Sequence, residues 1–346
     1  MGISSGQLSR ILTEDKDIFH KEKNDILSVG LKVSDYINVD DTGARHNGKN
    51  GYCTHIGNEL FAWFQSTESK SRINFLQLLR AGQMDYVINQ DALEYMDEQR
   101  LPKSLIYLLQ DHHKKQFHDL CQWEAHLQEL DIISHRHIKI ATEGALMGSV
   151  LHHGLPKSLV VVSDDAGQFN ILNHALCWIH AERTLNKLIP PNEEKRKDLE
   201  SVENQVWNFY RDLKAYKKSP DGTKKAQLQE RFEEIFTQKT NFQMLNLALE
   251  RLYENKDELL LVLERPEIPL HNNLSENDIR EYVKRRKVSG STRSEPGRRC
   301  RDTFASLKKT CRKLGVSFWD YLHDRLCKSY EIPPLPDLIL FHANAP

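Results

Sequence analysis

Two strand-like segments in this chain of 346 residues each end in a pair of aspartates, and this pattern constrains the fold most strongly. Residues 34–39 alternate polar and apolar side chains and precede Asp40-Asp41. Residues 158–163, Ser-Leu-Val-Val-Val-Ser, predict a fully buried strand that precedes Asp164-Asp165. Groups at the carboxyl ends of neighbouring strands meet at one edge of an open sheet. We therefore expect an α/β fold in which Asp40 and Asp164 converge.

A third acidic side chain, Glu276, lies just before a basic segment. A helix starting near Leu274 places Glu276 and Arg280 on one face, with three other side chains directed inward: Ile279, Tyr282 and Val283. A buried carboxylate needs a partner, most naturally a metal ion. Two Mg²⁺ ions about 4 Å apart can activate a water or a 3′-hydroxyl and stabilise the leaving oxygen of a phosphodiester. The sequence thus predicts that Asp40, Asp164 and Glu276 bind two Mg²⁺, with Mn²⁺ as a substitute.

Each aspartate pair also has a purely structural interpretation. Asp-Asp-Thr-Gly at 40–43 and Asp-Asp-Ala-Gly at 164–167 are both good turn sequences. The catalytic interpretation depends on their combination with Glu276 and the basic segment that follows it.

Charge is distributed unevenly although the net charge is only −1. Between His271 and Tyr330 there are fifteen Lys or Arg against seven Asp or Glu. Gly and Ser within the segment predict a flexible basic loop that can contact a phosphate backbone without reading sequence. The alternative is a solvated charged face. The candidate DNA-binding residues are Arg280, Lys284, Arg285, Arg286, Lys287, Arg293, Arg298 and Arg299.

Four motifs, in this order, resemble the transposases of the insertion-sequence-66 family. They are Val-Asp-Asp-Thr-Gly at 39–43, Val-Ser-Asp at 162–164, Cys-Trp-Ile-His-Ala-Glu-Arg at 177–183, and Asn-Asn-Leu-Ser-Glu-Asn-Asp-Ile-Arg at 272–280. The resemblance spans about residues 35–326. It implies a ribonuclease H-like mixed sheet flanked by helices, with Asp40, Asp164 and Glu276 as the DDE catalytic triad.

The chain departs from the family pattern at two points. The family usually has Arg directly after the Glu, whereas here Asn277 follows and the arginine comes at Arg280. Asp41 and Asp165 are adjacent acids, so the choice of Asp40 and Asp164 rests on alignment to the motif.

The pair Cys177 and His180 invites a zinc interpretation, but it supplies only two of the four ligands of a structural zinc site. In the family resembled, this segment follows the second Asp. His180 and Arg183 are therefore expected to support the active site or contact DNA, with a packing histidine as the alternative.

The periodicity predicts an interrupted catalytic domain. Residues 51–56 and 60–64 predict a hairpin turning at Gly57-Asn58, and residues 70–79 a helix. We expect an N-terminal helical segment at 1–30, a catalytic domain at 31–330 and a tail at 331–346. Two largely helical insertions are expected at about 84–154 and 191–269.

Composition favours an intracellular location. The six cysteines lack a disulfide spacing, the first residues form no signal peptide, and no apolar run is long enough to span a bilayer. We expect a bacterial cytoplasmic protein associated with the nucleoid and not with a membrane. The start of the chain resembles the junction after a DNA-binding region in longer family members, so recognition is expected to come from elsewhere.

The predicted function is metal-dependent nicking and strand transfer in DNA transposition of an insertion sequence. The expected partners are DNA, as transposon ends and target, further copies of the same chain in a homo-oligomer, and other proteins of the element. Two alternatives remain: a truncated or inactive relic that only binds DNA, and a metal-dependent nuclease without strand transfer.

Overall fold

The computed structural model describes residues 3–345, which leaves the outermost residues of the predicted N-terminal segment and tail outside the described residues. The contacts divide the chain into two units. Unit 1 contains residues up to Ser34, Asp41–Lys157, and the residues from Asn277 onward. Unit 2 contains Asp35–Asp40 and Ser158–Glu276. The domain boundaries drawn from the sequence stay a prediction.

A five-stranded mixed sheet has the strand order β3-β2-β1-β6-β7. Strand β1 (Tyr36–Gly43) begins in unit 2 and ends in unit 1. Strands β2 (Tyr52–Gly57) and β3 (Ala62–Thr67) form the antiparallel hairpin predicted at Gly57-Asn58. Strands β6 (Val160–Ser163) and β7 (Asn173–Leu176) are parallel to each other, and β6 is parallel to β1. The prediction of a mixed α/β sheet flanked by helices is confirmed at this level.

Unit 1 surrounds its hairpin with helices. Helix α3 (Arg72–Leu79) begins where Ser71 Oγ accepts the Asn74 N–H at 3.2 Å, close to the predicted start. The other helices of this unit outside segment 84–154 are α1 (Ser5–Thr13), α2 (Asp17–Val33), α14 (Glu295–Lys313), α15 (Phe318–Cys327) and α16 (Leu335–Ala343).

Segment 84–154 is mainly helical, as predicted, but it also contains a small sheet that the sequence did not reveal. Its elements are β4 (Tyr86–Val87), α4 (Gln90–Glu98), α5 (Lys103–Asp111), β5 (Gln116–Phe117), α6 (Leu120–Glu129) and α7 (His135–His152). The two-residue strands β4 and β5 pair antiparallel. Helix α7 approaches β4 closely at Gly148, where an added Cβ would lie 2.2 Å from the Val87 carbonyl oxygen.

Unit 2 places β6 and β7 against a helical block. Val160, Val161 and Val162 are fully buried, as expected for a strand covered on both faces. The helices are α8 (Trp178–Asn186), α9 (Glu193–Lys218), α10 (Gly222–Thr237), α11 (Gln243–Glu254) and α12 (Lys256–Leu260), followed by a 3₁₀ turn at Leu261–Leu263. The predicted break near residues 220–222 lies between α9 and α10, where Asp221 caps α10. Apolar stripes from these helices form one core with Trp178.

Helix α13 (Asn273–Ser289) joins the two units covalently. The predicted inward side chains are correct, because Ile279 and Tyr282 are buried and Val283 packs against them. The predicted flexible basic loop is wrong. Lys284–Lys287 lie on α13, and Arg298 and Arg299 lie on α14, so only residues 290–294 separate the two basic helices.

Candidate active site

Asp40 lies within β1, which continues past the predicted strand end to Gly43, whereas Asp164 directly follows the last residue of β6. Tyr36 pairs with Val160, and Asn38 pairs with Val162. The observed register ends at this second pair, two residues before Asp40 and Asp164, and neighbouring strands lie about 4.8 Å apart. Both side chains are half-buried. The parallel pairing of β1 with β6 supports the expected convergence of Asp40 and Asp164, which stays a prediction.

The two adjacent acids have other partners. Thr54 Oγ1 donates a 2.5 Å hydrogen bond to Asp41 Oδ1, and Asp165 forms an ion pair with Arg251. By contrast, Asp164 Oδ1 is buried and has no hydrogen-bond partner among residues 3–345. Since successive side chains of a strand point to opposite faces, Asp41 does not share the face of Asp40. These contacts distinguish Asp164 from Asp165, and the choice of Asp40 over Asp41 stays a prediction.

Asn272 fixes the start of the helix that carries Glu276. This residue is 1% exposed, and its Nδ2 donates to the Val39 carbonyl oxygen at 2.7 Å. Its Oδ1 accepts a 2.9 Å bond from Asn38 Nδ2. One turn later, the Glu276 N–H donates to the Asn272 carbonyl oxygen at 3.1 Å. One amide side chain thus ties the first turn of α13 to β1, the strand that carries Asp40.

The Cys-Trp-Ile-His segment supports the same helix start. The Asn272 N–H donates to Cys177 Sγ at 3.2 Å, and burial raises the pKa of that thiol, which keeps it protonated. Trp178 is 2% exposed, and its Nε1 donates to the Leu259 carbonyl oxygen at 2.9 Å. Cys177 therefore acts as a hydrogen-bond acceptor and Trp178 as a core anchor at the start of α8.

Helix α8 directs two basic side chains toward Glu276. His180 Nε2 and Arg183 Nη1 each lie 3.6 Å from Glu276 Oε1, and Arg183 Nη1 lies 3.0 Å from His180 Nε2. At 3.6 Å neither contact is a hydrogen bond, and Oε1 is a buried atom without a hydrogen-bond partner in the described part of the chain. His180 and Arg183 were predicted as supporting residues, and they lie beside the third carboxylate.

The donor atoms fit a hard divalent cation. Asp164 Oδ1 and Glu276 Oε1 are buried carboxylate oxygens whose hydrogen-bonding capacity is unused, which is costly unless a ligand completes it. Within residues 3–345, the three predicted ligands do not form a compact group with one oxygen of each inside 4.8 Å of the others. The distances between these carboxylate oxygens are larger than those around a single ion. Two ions about 4 Å apart can be held by ligands that lie farther from one another. The assignment of Asp40, Asp164 and Glu276 as metal ligands stays a prediction.

The predicted DNA-binding side chains form two basic helix segments of unit 1. Arg280, Lys284, Arg285 and Lys287 are exposed on α13, whereas Arg286 is half-buried and its Nη1 donates to Thr42 Oγ1 at 3.3 Å. Arg298 forms an ion pair with Glu295 at 2.8 Å on α14. Across residues 3–345, the other seven residues of this basic set have no acidic partner within 4.0 Å. Their positive charge is therefore available to an external anion.

Two site residues were missed by sequence reasoning. Asn38 is fully buried in β1, on the same face as Asp40, and its Oδ1 has no hydrogen-bond partner in the described residues. Asn272 was noted as part of a motif but was given no role. The sequence signal for Asn38 was its position as a polar residue between Ile37 and Val39, two residues before Asp40.

Comparisons with known proteins identify the family of this chain. The model described as "Transposase IS66 family" matches residues 151–299, which include Asp164, Glu276 and the α8 segment. The uncharacterized protein y4jO of Sinorhizobium fredii is 46% identical over 317 residues, covering 91% of this chain and 99% of that protein. No solved structure matches this chain. The chain belongs to the IS66 family of transposases.

Proposed function

We propose that this chain is a DDE transposase that nicks DNA at transposon ends and joins the freed 3′-hydroxyl to target DNA, using two Mg²⁺ ions. The observation that carries the proposal is the pair of buried carboxylate oxygens on Asp164 and Glu276 that accept no hydrogen bond from the described residues, together with the parallel pairing of the strands that lead to Asp40 and Asp164. The fold in this proposal is ribonuclease H-like.

Each side chain has a role that follows from its surroundings. Asp40, Asp164 and Glu276 would hold the ions, which when bound lower the pKa of the attacking hydroxyl and stabilise the leaving oxygen. Asn272 fixes the first turn of α13 and so positions Glu276. His180 and Arg183 lie 3.6 Å from Glu276 Oε1 and would support that carboxylate electrostatically.

The basic helix segments supply the remaining function, which is phosphate neutralisation. Arg280, Lys284, Arg285 and Lys287 are exposed cations on α13, which carries Glu276 in its first turn. Contacts of this kind bind the backbone of any sequence and lose affinity as salt rises. We further propose that two or more copies act together, because two transposon ends must be joined.

The experiment measures cleavage and strand transfer on labelled oligonucleotides carrying the inverted-repeat ends, with Mg²⁺ or Mn²⁺. The native chain is compared with Asp164→Asn and with the adjacent surface variant Asp165→Asn. We expect joined products from the native chain and Asp165→Asn, and none from Asp164→Asn.

Other outcomes separate the alternatives. Cleavage without joining would identify a nuclease without strand transfer. Tight DNA binding without products from the native chain would contradict the proposal and identify a DNA-binding relic.

No helix in the described residues is long and apolar enough to cross a membrane.

A further inference from the structure

Segment 84–154 brings together two histidines and a glutamate that the catalytic proposal does not use. His126 and Glu129 are three residues apart on α6, and His112 follows the last residue of α5. His112 Nε2 lies 3.9 Å from Glu129 Oε1, and His126 Nδ1 lies 3.9 Å from Glu129 Oε2. One ligand atom of each residue lies within 4.8 Å of the others, and among residues 3–345 this is the group of three that meets that spacing.

His126 is the unusual member of this group. It is 3% exposed, and neither ring nitrogen has a hydrogen-bond partner in the part of the chain that the structure describes. Its ring stacks on Phe117 with centroids 4.5 Å apart. A neutral imidazole offers a lone pair to a metal ion.

His20 is a second buried histidine, and its hydrogen-bond partners can be compared with those of His126. His20 is 5% exposed. However, its Nδ1 lies 2.8 Å from Thr303 Oγ1, and its Nε2 lies 3.9 Å from Cys300 Sγ. Both histidines are buried, but among the described residues only His20 has hydrogen-bond partners for its ring nitrogens. The ring nitrogens of His126 are therefore open to an external ligand.

We propose that His112, His126 and Glu129 form a binding site for a divalent transition-metal ion of the Zn²⁺ class. Two imidazole nitrogens and one carboxylate oxygen suit Zn²⁺ and Co²⁺ rather than Mg²⁺, which prefers oxygen ligands and water. Three protein ligands leave a fourth position for water or an external group. The Glu129 side chain is 67% exposed, so this position faces solvent.

Binding requires one local change at His112. The Lys114 N–H now donates to His112 Nδ1 at 3.2 Å, which places the proton of the neutral ring on Nε2. Coordination through Nε2 moves that proton to Nδ1 and breaks the bond from Lys114. Because Lys114 is exposed, its N–H then bonds to water. The ion would tie the end of α5 to the last turn of α6.

The test is Co²⁺ and Zn²⁺ binding by the full chain in millimolar Mg²⁺, which occupies sites made only of oxygen ligands. Cys121 and Cys327 are exposed thiols that bind these metals adventitiously, so both are replaced by Ser in every protein. The variants are Glu129→Gln and His112→Gln. The matched control is His113→Gln, which removes an exposed neighbouring imidazole outside the group.

We expect visible Co²⁺ absorption that one equivalent of Zn²⁺ abolishes, and a rise in Tm with Zn²⁺, in the parent and in His113→Gln. Glu129→Gln and His112→Gln should each weaken Zn²⁺ binding at least tenfold. Because Glu129 is exposed, we expect Glu129→Gln to fold like the parent. A loss of Zn²⁺ affinity in this variant then measures the contribution of the carboxylate ligand. Equal Zn²⁺ affinity in all four proteins, or no binding by the parent, would overturn the proposal.

Discussion

Two acidic side chains, two residues apart on α13, have opposite environments. Asp278 has a 9% exposed side chain and three basic neighbours, with His55 Nε2 at 3.2 Å, Lys309 Nζ at 3.3 Å and Lys313 Nζ at 2.9 Å. Burial disfavours its charge, but His55 and Lys313 outweigh burial and hold the pKa of Asp278 below its usual range. Glu276 has a 23% exposed side chain and no cation closer than 3.6 Å among the described residues.

The contrast separates a structural carboxylate from one available to a ligand. The charge of Asp278 is already neutralised by the protein, so its role is to hold α13 against α14 within unit 1. Glu276 keeps a buried oxygen without a hydrogen bond, which costs free energy in the absence of a ligand. Removing each charge should therefore affect different measurements.

The largest expected effect is on catalysis by Glu276→Gln. This variant should lower strand transfer by about 10³-fold or more, because an ion at the reacting phosphate supplies several kcal/mol of transition-state stabilisation. Its free energy of unfolding should change by less than about 0.5 kcal/mol, since no strong ion pair is lost. Product yield and urea unfolding measure the two quantities. Full activity in Glu276→Gln would remove it from the catalytic set.

Asp278→Asn should show the reverse pattern. The substitution leaves Lys309 and Lys313 without their buried partner, and breaking a buried ion pair costs about 3 kcal/mol. Urea unfolding should show this loss, while strand transfer per folded molecule at low temperature stays near the native value. A stable but inactive Asp278→Asn protein would show that Asp278 contributes to catalysis and not to stability.

The sequence predicted the parts of the fold with strong local signals. Strand β6 is a run of valines between turn residues, and the β2-β3 hairpin turns where Asn58 follows Gly57. The register of β1 against β6 joins strands more than 120 residues apart, so the sequence supported only the expectation that Asp40 and Asp164 converge. The two-residue strands β4 and β5 are too short to show periodicity.

Other features depended on contacts that local patterns do not contain. The basic segment was predicted as a loop because of its Gly and Ser residues, but they form only the short connection from Gly290 to Ser294. The role of Asn272 depends on the Val39 carbonyl, and the group at His112 depends on a ligand fourteen residues further along the chain. Both arise only when distant segments pack together.

Asn272→Ala tests whether the environment of Glu276 depends on the anchored helix start. The substitution removes the bonds to the Val39 carbonyl and from Asn38 Nδ2, leaving buried polar groups unpaired at a cost of about 2 kcal/mol. Strand transfer should fall as well, because the first turn of α13 loses its attachment to β1. The matched control is Asn273→Ala at an exposed position, where we expect a change within about 0.5 kcal/mol. Equal effects of the two variants would contradict the anchoring role.

Glu281 is a second structural carboxylate of α13, and its contribution to stability should depend on pH. It pairs with Lys308 at 2.5 Å and Lys309 at 2.9 Å, and these lysines outweigh burial and lower its pKa to about 2. A lowered folded-state pKa means that its contribution is present above pH 4.5 and is lost as the pH falls toward 2. Glu281→Gln should therefore cost less than about 1 kcal/mol at pH 7, and this difference should shrink below pH 4.5. Urea unfolding of both proteins from pH 7 to pH 3 measures it; a difference that grows on acidification would contradict the ion pairs.

The smallest expected effect is on the salt dependence of DNA binding, where a lysine without an acidic partner is compared with a lysine in an ion pair. Lys284 is exposed on α13 without an acidic partner among the described residues, whereas Lys308 is paired with Glu281. If Lys284 contacts one phosphate, Lys284→Ala should reduce the slope of log K against log salt by about 0.9, with a loss of affinity of a few fold. Lys308→Ala should leave the slope unchanged, because its charge is already neutralised. DNA-binding titrations at several salt concentrations give both slopes, and equal slopes in the two variants would show that ion pairing in the free protein does not select the DNA-binding cations.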